Sequence, residues 1–335
     1  METNHNTRLT ASEISNLWTQ YMFDSMNLCF FNYALEHLED DDIRSVYDKA
    51  STLSEQHLVE SGRFLEQEKF PIPKGFTEED VKKQADRLFQ DPFYLNYLYI
   101  MSLHGLTAYG LSVGNSIRED LRNYFIKCNQ EALNLYNEVI AAMLTKGIYT
   151  RPPVLNPSGK VSFVQDQGFL AGWFGDRRPL TALEIGNITF NMNKMNLHIA
   201  LKVGFGQVAS SKEVRQICER GIRITSKHTE IFRGIFREEK LNSPMSWQSH
   251  VTNTTESIFS DKYIMYQLHL STQAAIAFYG AALSVSARRD LGTQYTRLIS
   301  ELLKFSEDCA NIMIKNGWFE EPPMNVDRDK LMKEK

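Results

Sequence analysis

The chain has 335 residues, a formal net charge of −4, 42% hydrophobic and 23% charged residues, which is length for about two domains of ~100–200 residues each and apolar content for full cores. An acidic balance without a Lys/Arg stripe excludes a dedicated nucleic-acid binder, and the most apolar stretch, residues 274–285, falls short of the roughly 20 residues that span a bilayer. The opening Met-Glu-Thr-Asn-His-Asn-Thr-Arg has no apolar h-region, so no secretory leader is expected.

Thr10 and Glu13 have the spacing of a capping box and predict a helix N-terminus. Ile14, Leu17, Trp18, Tyr21, Ser25, Leu28 and Cys29 follow at i, i+3/i+4 spacing, an apolar stripe about four turns long. Asp40, Asp41 and Asp42 start a second helix that runs to about Lys69, where Pro71 and Pro73 end it. Roughly 20 residues then precede a third helix near Asp91, against the about 2–8 that join antiparallel neighbours. Thr77, Glu78, Glu79 and Asp80 predict a short capped helix within that stretch. A connection this long predicts a crossover running the length of a bundle, as in ferritin-like folds. The third helix ends near Ser116, which is expected to cap a fourth, with Asp120 near its positive N-terminal end. Gly147 suits the left-handed residue after that helix, Ile148 the apolar contact following it, and Pro152 and Pro153 forbid continuation.

The same signals then return. Leu-Thr-Ala-Ser-Glu-Ile-Ser-Asn-Leu at 9–17 reappears as Leu-Thr-Ala-Leu-Glu-Ile-Gly-Asn-Ile at 180–188, displaced by 171 positions. That offset maps Arg44 onto Arg215 and His57 onto His228; after one deletion it becomes 170 and maps Phe89 onto Phe259, Tyr109 onto Tyr279, and Ser116, Arg118 and Asp120 onto Ser286, Arg288 and Asp290. Thr181 with Glu184, and Ser210 with Glu213, predict two further capping boxes. Pro244 ends the second helix of this half, Asp261 starts its third, and Gly317 with Trp318, Pro322 and Pro323 close its fourth. Self-similarity in one register across so many anchors is the mark of a duplication. The expected architecture is all-α: a tandem duplication of a ferritin-like four-helix bundle with a long helix 2–3 crossover. The first bundle occupies 1–150, a connector 151–179, the second bundle 180–325 and a charged tail 326–335. The connector holds Phe163, Phe169, Trp173 and Phe174, which predicts a packed segment, since unstructured linkers are poor in apolar residues.

A four-helix bundle can carry a dinuclear metal site built from a Glu on each of two helices and Glu-x-x-His on each of the other two. Here the third helices, from Phe93 to Asn115 and from Lys262 to Val285, contain no Asp or Glu, the middle of the first helices offers only Asp24, and the residues three before His57 and His228 are Ser54 and Thr225. A multivalent metal pair without bridging carboxylates is neither held nor charge-balanced, so no metal and no cofactor is expected. His198, His228 and His269 lie on three helices, but 1.5 Å per residue sets His198 and His228 roughly 12 Å apart along the bundle. Cys29, Cys128, Cys218 and Cys309 show no zinc spacing and read as reduced thiols of a cytosol-type compartment. No GxGxxG, P-loop, GxSxG or HExxH pattern is present. The polar residues common to both halves are His57, Tyr109, Arg118 and Asp120, with His228, Tyr279, Arg288 and Asp290. They could line a pocket in each bundle; equally, buried His and Tyr satisfied across helices and an Arg–Asp pair at a corner fix helix register.

The repeated Leu-Thr-Ala-x-Glu-Ile, the Phe-Pro-Ile-Pro-x-Gly-Phe-Thr-Glu-x-Asp-Val stretch at 70–81 and Ser-x-Arg-x-Asp-Leu resemble a domain-of-unknown-function family of endospore-forming bacteria. So do Arg-Pro-Pro at 151–153, Phe-Gly-Gln-Val-Ala at 205–209 and Asn-Gly-Trp-Phe-Glu-Glu-Pro-Pro at 316–323. The resemblance covers essentially the whole chain. It implies a doubled ferritin-like bundle and a distant kinship with spore-coat proteins of the coat-protein-F type, and it supplies no catalytic residues. The expectation is a non-catalytic structural or interaction protein, cytoplasmic or spore-associated, with protein partners. The alternatives are a degenerate ferritin-like metal-dependent oxidoreductase and a small-molecule-binding bundle.

Overall fold

The computed structural model describes residues 7–157, 159–173 and 177–333; residues 1–6 of the opening segment, Phe174 of the connector and the last two residues of the tail lie outside them. Eight long helices follow in order: α1 Ala11–His37, α2 Asp41–Gln67, α3 Asp91–Asn115, α4 Glu119–Thr145, α5 Ala182–Val208, α6 Lys212–Glu238, α7 Asp261–Val285 and α8 Arg289–Lys315, then a short α9, Arg328–Lys333. Among the described residues there is no strand. The first four helices have 27, 27, 25 and 27 residues, and the next four have the same lengths in the same order. Helix α1 is longer than its apolar stripe predicts. The stripe ends at Cys29, but Phe30, Phe31, Tyr33 and Ala34 continue the buried face, which also carries the polar Gln20, Asp24 and Asn27.

The helix ends show which caps operate. Thr10 with Glu13 and Thr181 with Glu184 form full capping boxes. The predicted box at Ser210 is displaced: Ser211 is the N-cap, its hydroxyl accepting from Val214 N at 3.1 Å, and Val214 leaves no acid to reciprocate. Nor do Ser116 and Ser286 cap the fourth helices. Their hydroxyls donate back to Ser112 O and Ala282 O at 2.7 Å, closing the preceding helix. The cap of α4 comes from another helix, because a Glu13 oxygen accepts from Ile117 N at 2.9 Å and Arg118 N at 2.8 Å. Gly147 and Gly317, at φ 67° and 68°, take the left-handed position as predicted. Ile148 N and Trp318 N then reach back to Met143 O and Met313 O, the Schellman arrangement. Lys69 and Lys240 hold the same position at φ 62° and 58° after α2 and α6.

Contacts between helix ends fix the topology. Glu13 at the start of α1, Glu68 after α2 and Arg118 at the start of α4 meet at one end of the first helix set. At the other end Lys146, after α4, binds Asp40 and Asp42 beside the start of α2, and Asp91 at the start of α3 accepts from Glu39 N and Asp40 N. Helices α1 and α4 therefore run one way and α2 and α3 the other. Residues 68–90 must travel back along the whole set, about 40 Å for a helix of this length. In the second set Glu184, Glu239 and Arg288 gather at one end, and Asp261, Ser210 and Ser211 at the other, so residues 239–260 make the same journey.

These two returning segments meet each other. Antiparallel bridges join Val81 to Phe259 and Phe89 to Val251. Lys82 N donates to Ile258 O, Ser260 N to Asp80 O, Thr252 N to Leu88 O and Gln90 N to His250 O, at 2.8–3.0 Å. Backbone groups that no helix could satisfy are thus paired, as burial requires. Around them one continuous core takes Phe30, Phe89, Phe93, Tyr94 and Tyr97 from the first set and Phe205, Phe259 and Tyr263 from the second. Phe30 and Phe259 stack at 6.0 Å. Gly204 in α5 lets Phe89 approach so closely that a β-carbon there would lie 2.6 Å from Phe89 Cζ. Two smaller clusters belong to one set each.

Gly204→Ala should therefore destabilise the chain by about 1–3 kcal/mol through overpacking, against the ~1 kcal/mol that Ala normally gains over Gly inside a helix. Phe259→Ala should cost about 4 kcal/mol. Urea unfolding followed by circular dichroism reads both, and a gain in stability for Gly204→Ala would refute the close approach.

Candidate functional site

The eight polar residues shared by the halves separate into two kinds of place. His57 and Tyr109, like His228 and Tyr279, lie in the helix interior. Arg118 with Asp120, and Arg288 with Asp290, sit at the end of their sets where α3 turns into α4 and α7 into α8. Asp120 and Glu131 are eleven residues apart on α4, roughly 16 Å along the helix, so the corner and the interior are separate features.

The corners are ion-pair clasps. Arg118 binds both oxygens of Asp120 at 2.8 and 3.0 Å and also bonds Glu68. Arg288, fully buried, binds Asp290 at 2.8 and 2.9 Å and Glu239 at 2.9 Å. Glu184 beneath it accepts from Arg178 at 2.8 and 2.9 Å, from Thr181 N at 2.9 Å and from Arg288 N at 3.1 Å. Burial alone would raise the Glu184 carboxyl, but the Arg178 guanidinium and the two backbone donors hold it at about 2. The partners here are helix ends and, in the second set, Arg178 of the connector, so both clasps tie chain segments together where helices begin and end.

The interior is different. In the first set His57 Nε2 lies 2.8 Å from Glu131 Oε2, and Tyr109 Oη is 3.2 Å from His57 Nδ1. Asp24 Oδ2 is 3.8 Å from Nδ1, while Asp24 Oδ1 accepts from Ser54 at 3.0 Å. Gln20 Nε2 faces Tyr109 Oη at 3.5 Å and Cys128 Sγ at 3.7 Å. Burial pushes the Asp24 carboxyl up to about 7, against the pull of His57 and the Ser54 bond. Beside this network lies a cavity of about 330 Å³ between the four helices. Phe23, Phe31, Leu53, Leu98, Met101 and Leu135 give it apolar walls. The cavity is also lined by Asn16, Gln20, Asp24 and Asn27 of α1, and each has a buried polar atom (Nδ2, Oε1, Oδ2 and Oδ1) with no hydrogen-bond partner in the protein. Four such atoms around one space is unusual, since buried polar groups are nearly always paired.

The second set keeps the frame and fills the space. His228 Nδ1 is 3.3 Å from Tyr279 Oη, and His228 Nε2 is 3.2 Å from Glu301 Oε2. Tyr279 Oη, however, meets Met195 Sδ at 2.9 Å, because Met195 stands where α1 has Asp24. Leu298, Leu302 and Phe305 hold in α8 the helix positions of Cys128, Ala132 and Leu135 in α4. The space left is about 20 Å³. Burial takes the His228 ring down to about 4, against the pull of Glu301. His198 and His228 border this remnant, but His269 is turned to Ser306 O at 3.2 Å. Among the described residues these three histidines form no metal-ligating group. His198 sits instead among Lys202, Lys194 and His104, all basic, and burial takes its ring far below the usual range.

The sequence reading missed Gln20, Cys128, Glu131 and Glu301 as members of the interior network. Glu131 and Glu301 share the 170-residue offset of Tyr109 and Tyr279, so the repeat carried that signal on the fourth helix of each half. All four cysteines are free and buried.

These features define an all-α helical-bundle protein with a polar network and a cavity inside one of its helix sets. The chain belongs to the family described as protein of unknown function DUF3231, whose model matches it twice, over residues 1–161 and 168–331. Comparison with curated proteins finds no match. A solved structure of a candidate spore coat protein from Bacillus halodurans C-125 is 18% identical and aligns over all of its own chain and 46% of this one, with a TM-score of 0.43. A likeness that distant bears on neither fold assignment nor function.

Glu184 gives a pH signature. Its folded value of about 2 lies below the ordinary 4.5, so its contribution to stability is present above about pH 4.5 and is lost as the pH falls toward 2. Glu184→Gln, which keeps a capping amide but removes the charge, should cost about 2 kcal/mol at pH 7 and flatten the decline between pH 5 and pH 3. Urea midpoints at the two pH values measure it; parallel curves for variant and wild type would rule the account out.

Proposed function

We propose that this protein is a small-molecule-binding helical bundle whose ligand sits in the cavity of the first helix set, the second set serving as its packed support. The observation that carries this reading is that Asn16, Gln20, Asp24 and Asn27, each with an unpartnered buried polar atom, line one space of about 330 Å³. Small-molecule sites span about 300–1,000 Å³ and combine apolar walls with a few placed polar groups. The ligand class is a compact molecule with an apolar body and both donors and acceptors: Asn16 Nδ2 donates, Gln20 Oε1 and Asn27 Oδ1 accept, and Asp24 changes role with protonation.

The doubled ferritin-like bundle belongs to this reading. The order of helix directions, the full-length returning segments and the two consecutive matches to one family model support it. Association with the spore rests on the sequence motifs alone. A role in binding protein partners draws support from the connector, where, against the expected packing, Phe163 and Trp173 are exposed along with Val154 and Val161. These residues sit outside the helix sets, so such a role would add to the cavity and not compete with it.

The test uses the substitutions the chain already contains. Ala132→Leu with Leu135→Phe copies the α8 pattern into α4. The full-length wild type, treated with chelator, should bind the uncharged dye Nile red at one per chain with a blue-shifted emission. The double variant should bind at least tenfold more weakly and gain about 1 kcal/mol of stability from the filled space. Equal dye binding by the two proteins, or none by the wild type, would overturn the reading.

A further inference from the structure

The interior network holds more than a hydrogen-bonded histidine. His57 on α2 and Cys128 and Glu131 on α4 each bring one ligand atom to a place where all three lie within 4.8 Å of one another, the only such group among the described residues. Cys128 and Glu131 are three residues apart and so share a face of α4, and His57 meets that face from α2. His57 and Cys128 are buried and Glu131 is half-buried. A tetrahedral Zn²⁺ or Co²⁺ ion takes sulfur at about 2.3 Å and nitrogen or oxygen at about 2.0–2.2 Å. A shift of about 1 Å in flexible side chains closes the present triangle to that size.

We propose that His57 Nε2, Cys128 Sγ and a Glu131 carboxylate oxygen form a mononuclear site for a divalent transition metal of the zinc and cobalt class. The surroundings suit the task. A metal-bound imidazole characteristically gives its other N–H to a carboxylate or similar acceptor, and on the Nδ1 side of His57 stand Asp24 Oδ2 at 3.8 Å and Tyr109 Oη at 3.2 Å. Gln20 Nε2, 3.7 Å from Cys128 Sγ, donates toward the sulfur. Lys127 approaches the other oxygen of Glu131, at 3.6 Å, and leaves Oε2 to the metal. Thiolate and carboxylate together balance a 2+ ion. Binding converts the Cys128 thiol to thiolate and releases its proton to solvent, and the imidazole coordinates through an unprotonated Nε2 with its N–H on Nδ1. Three protein ligands leave one position of the ion for a solvent oxygen.

The second helix set shows what the site needs. It keeps His228 and Glu301 but has Leu298 for Cys128 and Met195 for Asp24. The soft ligand and the carboxylate behind the imidazole are absent together, so the chain holds one site and not two. This differs from the bridged carboxylate pair considered from the sequence, and from the His198, His228 and His269 set.

The experiment is a cobalt titration of full-length, chelator-treated protein. Wild type should take up one Co²⁺ per chain, with a thiolate-to-cobalt charge-transfer band in the near ultraviolet and the visible bands of a tetrahedral ion. Cys128→Leu installs the residue that α8 carries and keeps a packed core; it should lose the charge-transfer band and bind at least a hundredfold more weakly. Glu131→Gln should weaken binding, and Glu301→Gln in the second set should leave it unchanged. Binding of less than half an equivalent, a cobalt spectrum without a thiolate band, or a band that survives in folded Cys128→Leu would overturn the proposal. Nile red binding in the metal-free protein is read separately, so failure of the cavity and failure of the metal site are distinguishable.

Discussion

The antiparallel pairing of residues 80–90 with residues 250–260 is the contact on which the rest of the structure depends. Each set of four helices reverses direction so that its second and third helices run parallel, and that order forces a long segment to travel the length of the set. Such a segment carries backbone N–H and C=O groups past an apolar surface, where leaving them unpaired costs about 1–3 kcal/mol each. The two segments satisfy one another: Lys82 with Ile258, Ser260 with Asp80, Thr252 with Leu88, Gln90 with His250. The aromatic core assembles around that seam, with Phe30 and Phe89 from one side and Phe205 and Phe259 from the other. Neither set would close this region alone.

Within similar frames, the two interiors differ. The His–Tyr–Glu triangle is common to both, as His57, Tyr109 and Glu131 and as His228, Tyr279 and Glu301. Around it the second set has spent its volume on Met195, Leu298, Leu302 and Phe305, while the first keeps Asp24, Cys128, Ala132 and Leu135. Protein interiors are packed to the density of organic crystals, and an interior with room beside unpaired polar atoms departs from that rule where the second set obeys it. A chain that contains both versions shows that the frame does not require the space. It is on this difference that the proposed binding role rests.

Much of this was legible in the residues and some was not. Helix order, the left-handed glycines at 147 and 317, and the boxes at Thr10 and Thr181 follow from local spacing, because a cap is a contact among neighbours in sequence. Ser116 and Ser210 misled for the opposite reason. The true cap of α4 is Glu13, over a hundred positions away, and Asp261 takes the backbone N–H groups of Ser210 and Ser211 from a distant helix. The cavity was invisible for a related cause: it is the sum of small differences in side-chain size on four helices, none remarkable alone. Arg118, Asp120, His57 and Tyr109 all recur in the second half, yet recurrence says only that both places matter, not whether they are one place. The packing of one half on the other lay in the returning segments, where no periodicity exists to read.

The bridges of the seam have a symmetry of their own. Val81 faces Phe259 while Phe89 faces Val251, and the offset of 170 makes Phe259 the counterpart of Phe89 and Val251 that of Val81. The contact is thus isologous, each half presenting the same edge to the other, as in a two-fold dimer. A head-to-tail contact leaves one complementary face free at each end and can propagate into a filament; a self-complementary one consumes both faces at once. Joining the partners in a single polypeptide also makes their encounter intramolecular, so its extent does not fall with dilution.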